Sequence, residues 1–478
     1  MAQKPTLPQG TRDFNPLQVH RRKFILNTIE EVFKKYGFMP LETPAMENLN
    51  TLTGKYGDEG DQLLFKVLNS GNYLKNLTEY NNKGLLEESR DKTLLPSSDG
   101  SLNNLNAKTA LPYISEKGLR YDLTVPFARY VVMNRNEITY PFKRYQMQPV
   151  WRADRPQQGR YREFWQCDAD VIGSNSLLSE AEFLKIYDEV FTRLEIPVVI
   201  KINNRKLLSA LAALTGSPEK FMDITIAIDK LDKIGESGVA EELKKCELNE
   251  SQISQIIKFL SLAQSVAPLK ELQQLFVGST EGLQGCNELK KVFDLLMGLQ
   301  LQNPVKIDVT LARGLSYYTG AIVEVQCTQG DFMASIGGGG RYDNLTGIFG
   351  LPDVSGVGIS FGLDRIYLVM ENLQKFPDYI KANHTKILFC YFDEPTQAFA
   401  FAATAKIREA GIAAEIYPDI VKKIGKQLEY ANKLNIPFVG IVGSNEMESG
   451  KVVIKNLKEG TQEEMSIEKV IEKLKDNN

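Results

Sequence analysis

Residues 151–170 read WRADRPQQGRYREFWQCDAD and lie between two segments whose composition is typical of β-strands. Four arginines, Arg152, Arg155, Arg160 and Arg162, stand among aromatic and acidic residues, a mixture that is unusual for a core or a plain loop. The pattern predicts a strand, a basic turn and a returning strand. Because each guanidinium group presents planar, forked donors that match phosphate or carboxylate, this hairpin is expected to line a pocket for a polyphosphate.

The length and the charge of the chain bound its organisation. It has 478 residues, of which 43% are hydrophobic and 24% are charged, and its formal net charge is -3. Since a typical domain has about 150 residues, two or three domains are expected. A net charge this close to zero means that any contact with nucleic acid must come from a local basic patch.

The N-terminus and the cysteines indicate a cytoplasmic protein. The chain has no run of about 18 apolar residues, so no membrane span is predicted, and the polar start MAQKPTLPQGTRDF argues against a secretory signal. The five cysteines are scattered singly without CxxC spacing, and there are two histidines. We therefore expect neither a disulfide framework nor a transition metal held by the protein.

Hydrophobic periodicity divides the chain into two architectures. Residues 1–380 have the pattern of hairpins and meanders with added helices, which favours an α+β fold on an antiparallel sheet. Within them, residues 61–74 predict a hairpin, residues 76–111 a loop insertion, and residues from about 216 to 303 a helical insertion domain. Residues 386–478 alternate strand and helix, which predicts a compact, mostly parallel α/β domain.

Arginines also recur at two distant positions beside glycines and strands, Arg313 in LARGLSYYTG and Arg365 in GLDRI. A single arginine is most often a solvated surface residue, but three in such settings, counting Arg152, are harder to explain in that way. The sequence has no GxxxxGK[ST] motif, and its GVGISF segment lacks the third glycine of a dinucleotide fingerprint. Side chains rather than a glycine loop must therefore hold any nucleotide.

Glycines 337–340 end an apolar segment, and the sequence leaves two interpretations of them open. They form either a flexible turn or a stretch without side chains where a ligand approaches the backbone closely. Nothing in the sequence decides between the two.

Several acidic and polar residues flank the same predicted pocket. Singly, each is more often a surface or capping residue, and Thr124 is expected to cap the helix that follows it. Together they can bind an ammonium group or a ring N–H. These residues are Asp122, Thr124, Asp154, Gln166 and Asp170.

These motifs together resemble the class II aminoacyl-tRNA synthetases and, within them, the histidyl-tRNA synthetase family. PLETPAMEN, with Pro44 as an interface proline, resembles the first class II motif, residues 142–173 the second, and GVGISFGLDRI the third. LARGLSYYTGAIVEV and GGGGRYDNL resemble two motifs that are specific to the histidine family. The C-terminal module, residues 386–478, is similar to its anticodon-binding domain, so the likeness runs nearly end to end.

The resemblance implies a class II catalytic domain over residues 1–380, followed by an anticodon-binding domain over residues 386–478. It implies a histidine-tRNA ligase that uses ATP with Mg²⁺ to convert L-histidine to histidyl-adenylate and then charges tRNA(His). It also implies a homodimer in the cytoplasm.

The resemblance also implies roles for single residues. Arg152 would hold the α-phosphate of ATP and the carboxylate of the amino acid, Arg313 the α-phosphate during transfer, and Arg365 the γ-phosphate end. Arg155 and Gln157 would meet the acceptor end of the tRNA. Prepositioned guanidinium groups of this kind stabilise the charge that grows on the transferred phosphoryl group.

For the amino acid, the resemblance assigns the α-amino group and the imidazole ring to different side chains. The α-amino group would contact Asp122, Thr124 and Gln166. The two ring nitrogens would contact Asp170 and Tyr318, with Tyr342 closing the pocket. Three positions depart from common forms of the motifs: Ser316 stands where aspartate is usual, and Asp122 and Asp170 stand where many bacterial members carry glutamate.

Two alternatives are less consistent with the sequence. The regulatory subunit of ATP phosphoribosyltransferase shares the catalytic fold without the activity, but it typically lacks the C-terminal module and the motif arginines that this chain has. A synthetase for another amino acid is disfavoured by the two histidine-specific motifs.

Overall fold

The computed structural model describes most of the chain. The chain forms two compact units, and each has a hydrophobic cluster of its own. The first unit comprises Met1–Arg12 and Arg22–Phe376, and the second comprises Asp13–Arg21 and Pro377–Asn478. The residues described are 4–72, 111, 114–312, 317–332 and 334–476.

The first unit is built on a large antiparallel-rich sheet. Its described strands are β1 (Met39–Pro40), β2 (Met46–Asn48), β3 (Lys66–Val67), β4 (Lys117–Leu119), β5 (Phe142–Trp151), β6 (Glu163–Ile172), β7 (Val198–Asn204), β8 (Val305–Ile307), β9 (Ala321–Cys327), β10 (Ser335–Tyr342) and β11 (Gly356–Gly362). Eight of them form one sheet in the order β1-β5-β6-β11-β10-β9-β7-β8. Only the outermost pairings, β1 with β5 and β7 with β8, are parallel. The predicted α+β class is confirmed.

Helices cover the apolar face of this sheet and extend beyond it. Those described are α1 (Pro16–Lys35), α2 (Leu49–Leu52), α3 (Gly57–Gln62), α4 (Thr124–Met133), α5 (Leu178–Arg193), α6 (Arg205–Leu214), α7 (Phe221–Asp229), α8 (Leu231–Lys245), α9 (Glu250–Ser261), α10 (Pro268–Leu275), α11 (Thr280–Leu296) and α12 (Leu363–Asn372). Short 3-10 helices lie at Pro218–Lys220, Leu262–Gln264 and Thr346–Phe349. In the described part of the chain, none of the helices is long and apolar enough to cross a membrane.

The β5–β6 hairpin has the regular alternation that the sequence predicts. Its register runs from Phe142 opposite Ile172 to Trp151 opposite Glu163 without a break. Since neighbouring residues of a strand point to opposite faces, Cys167 and Ala169 enter the hydrophobic cluster while the residues beside them carry polar side chains to the other face. The paired strands thus present a polar wall.

The stretch from α7 to α11 is helical, as the periodicity predicts. Its buried side chains, such as Ile256, Phe259 and Leu289, belong to the same hydrophobic cluster as Ile200 and Ile202 of β7. These helices therefore share a continuous apolar core with the sheet.

The predicted hairpin over residues 61–74 is wrong. Residues 57–62 form α3, and the two-residue strand β3 pairs with β4, which follows about fifty residues later. The backbone N–H and C=O groups of β3 pair with a strand that is distant in the sequence. A local turn signal cannot predict such a pairing. The predicted loop insertion over residues 76–111 lies outside the described residues except for residue 111.

The second unit contains a five-stranded sheet flanked by helices. Its elements are β12 (Ile387–Cys390), α13 (Glu394–Glu409), β13 (Ala414–Ile416), α14 (Ile424–Lys433), β14 (Phe438–Ile441), α15 (Ser444–Ser449), β15 (Lys451–Asn456), β16 (Gln462–Ser466) and α16 (Ile467–Asp476). In the order β13-β12-β14-β15-β16, the first two pairings are parallel and the last two antiparallel. The prediction of a mostly parallel sheet is wrong, because the five residues that join β15 to β16 are too few for a parallel crossover.

Candidate active site

Two adjoining cavities occupy the polar face of the large sheet. The larger has a volume of about 340 Å³, and the smaller, of about 30 Å³, lies deeper among acidic side chains. They have a common wall, which consists of Gln166, Tyr318, Gly338, Gly339 and Ser360. A ligand that occupies both cavities would therefore lie against these five residues.

The larger cavity is lined by three of the arginines that the sequence singled out, Arg152, Arg160 and Arg365. Arg152, at the end of β5, donates from Nε to the Tyr121 carbonyl oxygen at 3.0 Å, and its guanidinium lies 4.2 Å from the Tyr121 ring centroid. Arg365, at the start of α12, donates to the carbonyl oxygens of Gly159 at 3.1 Å and Ser335 at 2.7 Å. The carbonyl partners orient these two guanidinium groups, whose forked donors suit phosphate or carboxylate.

A hydrogen-bond network that the sequence did not suggest is centred on Asp364, which lines this cavity. Asp364 accepts hydrogen bonds from Arg12 and Arg22 through Oδ1, and from the Trp165 backbone N–H through Oδ2 at 3.0 Å. Arg12 also lies over the Tyr161 ring, 3.3 Å from its centroid. The network ties the N-terminal segment to β6 and α12. No local pattern reveals it, because its partners are about 200 to 350 residues apart.

In the smaller cavity, the Asp122 carboxylate is already surrounded by donors. It accepts from the hydroxyls of Tyr56 at 3.0 Å and Tyr317 at 2.9 Å, and from the Val125 backbone N–H at 3.1 Å. Burial raises the pKa of Asp122, against the lowering effect of these hydrogen bonds. The expected capping role of Thr124 is wrong: Thr124 is the first residue of α4, and the Asp122 carboxylate binds the free N–H of the first turn.

Asp170 is held from two sides. The Tyr342 hydroxyl donates to its Oδ1 at 2.6 Å, and Arg144 Nη2 lies 2.8 Å from its Oδ2 in a buried ion pair. Burial raises the pKa of Asp170, although Arg144 opposes that change. Tyr342 therefore orients the Asp170 carboxylate, which makes its role more indirect than closing the pocket.

The glycine run 337–340 is part of strand β10, so the turn interpretation is wrong and the close-approach interpretation is favoured. A Cβ on Gly340 would come within 3.1 Å of the Tyr318 ring. On the neighbouring strand, a Cβ on Gly358 would stand 2.0 Å from Asp170 Oδ1. Side chains at these positions would displace the groups that line the smaller cavity.

Asp168 is a buried acid that sequence reasoning missed. It lies on β6 between Gln166 and Asp170, lines the smaller cavity, and has only 3% of its surface exposed. Burial raises the pKa of Asp168 to about 7, with Arg144 lowering it and Asp170 raising it. Positions 166, 168 and 170 are alternate residues of one strand, so their side chains lie on the same face. This spacing could have identified Asp168 from the sequence.

The structure brings most of the predicted ligand-binding residues together. Arg152 and Arg365 line the larger cavity; Asp122, Thr124, Asp170 and Tyr342 line the smaller; Gln166 and Tyr318 line both. Arg155 and Gln157 are exposed on the turn of the hairpin and are not among the lining residues. Arg313 and Ser316 lie outside the described residues.

Comparisons with known proteins identify the family. The family model described as Histidyl-tRNA synthetase matches residues 115–366, and the Anticodon binding domain model matches residues 384–477. The chain is 51% identical over 472 residues to a Histidine--tRNA ligase of Bacteroides fragilis (strain YCH46), covering 98% of this chain and 99% of that protein. It is 52% identical over 475 residues to a Histidine--tRNA ligase of Cytophaga hutchinsonii, covering 99% and 100%.

A solved structure gives the same answer. The histidyl-tRNA synthetase of Nostoc sp. PCC 7120 is 29% identical and aligns over 100% of both chains with a TM-score of 0.77. The predicted resemblance is confirmed over the full length of the chain. This chain belongs to the histidyl-tRNA synthetase family.

Proposed function

We propose that this protein activates L-histidine with ATP to give histidyl-adenylate and pyrophosphate, and then transfers the histidyl group to tRNA(His). One observation carries the proposal: a cavity lined by arginines adjoins a smaller cavity lined by acids, and Gln166 and Tyr318 belong to both. The first suits a triphosphate and the second a cationic amino acid. Relatives that are about 50% identical over nearly their whole length are named Histidine--tRNA ligase, which disfavours the regulatory-subunit alternative.

In the activation step, a carboxylate oxygen of histidine attacks the α-phosphorus of ATP, and the bond to the pyrophosphate oxygen breaks. Negative charge grows on the non-bridging oxygens of that phosphorus. Arg152 is anchored near the common wall, and Arg365 lines the same cavity, so both are placed to stabilise phosphate charge. By resemblance, Arg313 contributes a third guanidinium group.

In the smaller cavity, we assign the imidazole ring of histidine to Asp170 and Tyr318, with Tyr342 holding the Asp170 carboxylate in place. Asp122 and Thr124 lie at the same cavity and are assigned to the α-amino end with Gln166. A buried site that hydrogen-bonds the side chain of its substrate rejects analogues without those groups by about 10⁴-fold or more, so no editing step is needed.

Mg²⁺ is proposed to enter with the phosphates of ATP. Magnesium prefers oxygen ligands and is usually held by one or two carboxylates together with substrate phosphates. Glu324 of β9 lines the larger cavity and fits that requirement. When bound, the ion would balance the charge of the departing pyrophosphate.

Charging requires tRNA, and two separate parts of the chain are proposed to bind it. Arg155 and Gln157 are exposed on the turn of the β5–β6 hairpin, where they can meet the acceptor end. The second unit, which contains the match to an anticodon-binding domain, is assigned to the anticodon.

We place the enzyme in the cytoplasm, and its five cysteines are all free, which is typical of a reducing compartment.

A homodimer is also proposed. Strand β1 lies at an edge of the large sheet and leaves Met39 half exposed, and Met46, Met133 and Tyr140 are further exposed apolar side chains of the first unit. Apolar groups of this kind often mark protein interfaces. Sedimentation equilibrium is expected to give twice the mass of one chain, and a single-chain mass at micromolar concentration would contradict the dimer.

The function is tested by ATP–pyrophosphate exchange with each of the standard amino acids in turn. We expect exchange with histidine only, followed by histidine-dependent charging of tRNA(His). Exchange with a different amino acid would overturn the substrate, and the absence of exchange with any of them would overturn the enzymatic activity.

A further inference from the structure

The smaller cavity contains three buried acceptors that the hydrogen bonds within the described protein leave unused. One of them, Asp170 Oδ2, is held in the ion pair with Arg144, which leaves two. Asp168 Oδ1 and Gln166 Oε1 are both shielded from solvent, and neither has a hydrogen-bond partner among the residues that the structure describes. Both side chains are fixed in place: the Gln166 amide donates to Ser360 Oγ at 3.1 Å, and the Ser360 hydroxyl in turn hydrogen-bonds Asp168. Burying an acceptor without a donor is unfavourable, so the arrangement points to a ligand that supplies N–H groups.

The other acids of the cavity differ from Asp168 in this respect. Asp122 accepts hydrogen bonds from two tyrosine hydroxyls and from a backbone N–H. Asp170 faces Tyr342 on one side and Arg144 on the other. Asp168 is thus the carboxylate with the most capacity left for a ligand.

The chemistry of the two unused acceptors selects one group of the substrate. A neutral imidazole has a single N–H, whereas an ammonium group has three N–H donors directed away from one nitrogen. Asp168 and Gln166 are alternate residues of the same strand, so their side chains leave the sheet on the same face. A donor that serves both acceptors at once therefore fits the ammonium group.

The charges around Asp168 agree with a cationic ligand. Arg144 is the cation that faces it, and the ion pair with Asp170 engages that guanidinium. Asp170 and Asp122 add further negative character, and burial raises the pKa of Asp168. A positively charged group beside Asp168 would relieve this excess of acids.

We propose that Asp168 is the charged partner of the α-ammonium group of bound histidine and that the Gln166 amide oxygen accepts from the same group. The inference rests on the proposed function and adds a residue to it. Asp122, which the resemblance assigns to the same group, also holds Tyr56 and Tyr317 in place.

The test pairs one variant with three ligands. Histidine and histidinol carry the ammonium group, whereas 3-(imidazol-4-yl)propionate has the same ring without it. In Asp168→Asn, the KM for histidine and the inhibition constant of histidinol are expected to rise at least about 10-fold, the effect of losing a hydrogen bond to a charged group. The inhibition constant of the propionate and the KM for ATP are expected to stay within about twofold of the parent values, by the same reasoning.

Asp170→Asn is the matched control, because Asp170 is assigned to the imidazole that all three ligands share. It is expected to weaken all three alike. If Asp168→Asn does the same, or changes none of them, the inference is overturned. Should the asparagine variant not fold, Asp168→Ser carries the same comparison. The parent protein must first show histidine-dependent exchange, and its failure to do so would overturn the proposed function rather than this inference.

Discussion

The two cavities of the first unit meet at one wall, yet they are built in opposite ways. The larger is open to a ligand of many atoms and draws its positive charge from Arg152 and Arg365, which backbone carbonyls orient. The smaller has about a tenth of that volume, and two of its acids, Asp122 and Asp170, are already engaged by tyrosines, an arginine and a backbone N–H. One region supplies charge, and the other supplies shape and hydrogen-bond selectivity.

This difference shows how one site can combine catalysis with discrimination. A guanidinium group acts on phosphate charge wherever that charge develops, so the larger cavity needs orientation more than enclosure. The acids of the smaller cavity are buried, so a wrong ligand leaves buried polar groups unpaired and is rejected.

The largest effect is expected from Arg152→Gln in the larger cavity. Loss of a prepositioned donor to the reacting phosphoryl group commonly costs about 3–4 kcal/mol, which is about 10²–10³-fold in kcat for ATP–pyrophosphate exchange. The measurement is the exchange rate at saturating histidine, with Arg135→Gln, an exposed arginine after α4, as the control. An Arg152→Gln enzyme within threefold of the parent would remove Arg152 from the chemistry.

A smaller but more selective effect is expected from Gly358→Ala. The new Cβ would stand 2.0 Å from Asp170 Oδ1 and must displace that carboxylate. We expect the KM for histidine to rise about 10- to 100-fold, as for one or two hydrogen bonds to a charged group, with little change in the KM for ATP.

The control for that variant is Gly425→Ala in α14, where nothing lies within 4 Å of the added atom. It is expected to leave exchange unchanged and to stabilise the helix by about 1 kcal/mol, because alanine favours helix over glycine. Equal losses of affinity for ATP and histidine in Gly358→Ala would show that the two cavities do not act separately.

Arg155→Ala tests a position outside both cavities. Arg155 is exposed on the turn, so removing it is expected to leave exchange unchanged and to lower the kcat/KM of tRNA charging about 10-fold, the effect of one charge-assisted hydrogen bond. Steady-state charging with varied tRNA measures the loss. A parallel fall in exchange would place Arg155 with the activation machinery instead.

The smallest effect concerns the pH dependence of stability. Burial raises the pKa of Asp168 to about 7, with Arg144, Asp170, Asp122 and Ser360 as the surrounding charged and polar groups. The carboxyl of an unfolded chain has a pKa of about 3.9, so between these values the folded state holds more protons. The stability of the parent therefore falls as pH rises from about 4 to 7, and above that range the loss is complete.

Asp168→Asn does not titrate, so its advantage in free energy of unfolding over the parent is expected to grow between pH 5 and pH 8. Thermal unfolding without ligand is expected to show a Tm advantage that is larger at pH 8 by about 2–3 °C. The raised pKa changes the free energy of unfolding by about 2–3 kcal/mol over this range, and each kcal/mol shifts the Tm of a chain of this size by about 1 °C. An advantage that is the same at both pH values would contradict a raised pKa for this buried carboxyl.

Local patterns predicted much of the site. The β5–β6 hairpin follows from short-range periodicity, because a strand places side chains at fixed intervals. Asp168 was within reach of the same reasoning, since it alternates with two residues that were identified. It was missed because the resemblance supplied a complete set of ligands without it.

Other features had no local signal. The hydrogen bonds of Asp364 with Arg12 and Arg22 join residues more than 340 positions apart. Strand β3 finds its partner in β4, beyond the residues 76–111. Strands β15 and β16 of the second unit pair antiparallel with their neighbours. Periodicity predicts a strand but does not specify whether it runs parallel or antiparallel to its neighbour.

The sequence by itself determined the family, the α+β class, the basic hairpin and the residue types that face the ligands. Those properties depend on local periodicity and on motifs of fixed spacing. Only the tertiary structure decided that Arg152 and Arg365 line one cavity while three acids line its smaller neighbour, that tyrosines engage Asp122, and that Asp168 keeps an unused oxygen. The physical reason is that burial, pairing and pKa depend on groups brought together by folding, whatever their separation along the chain.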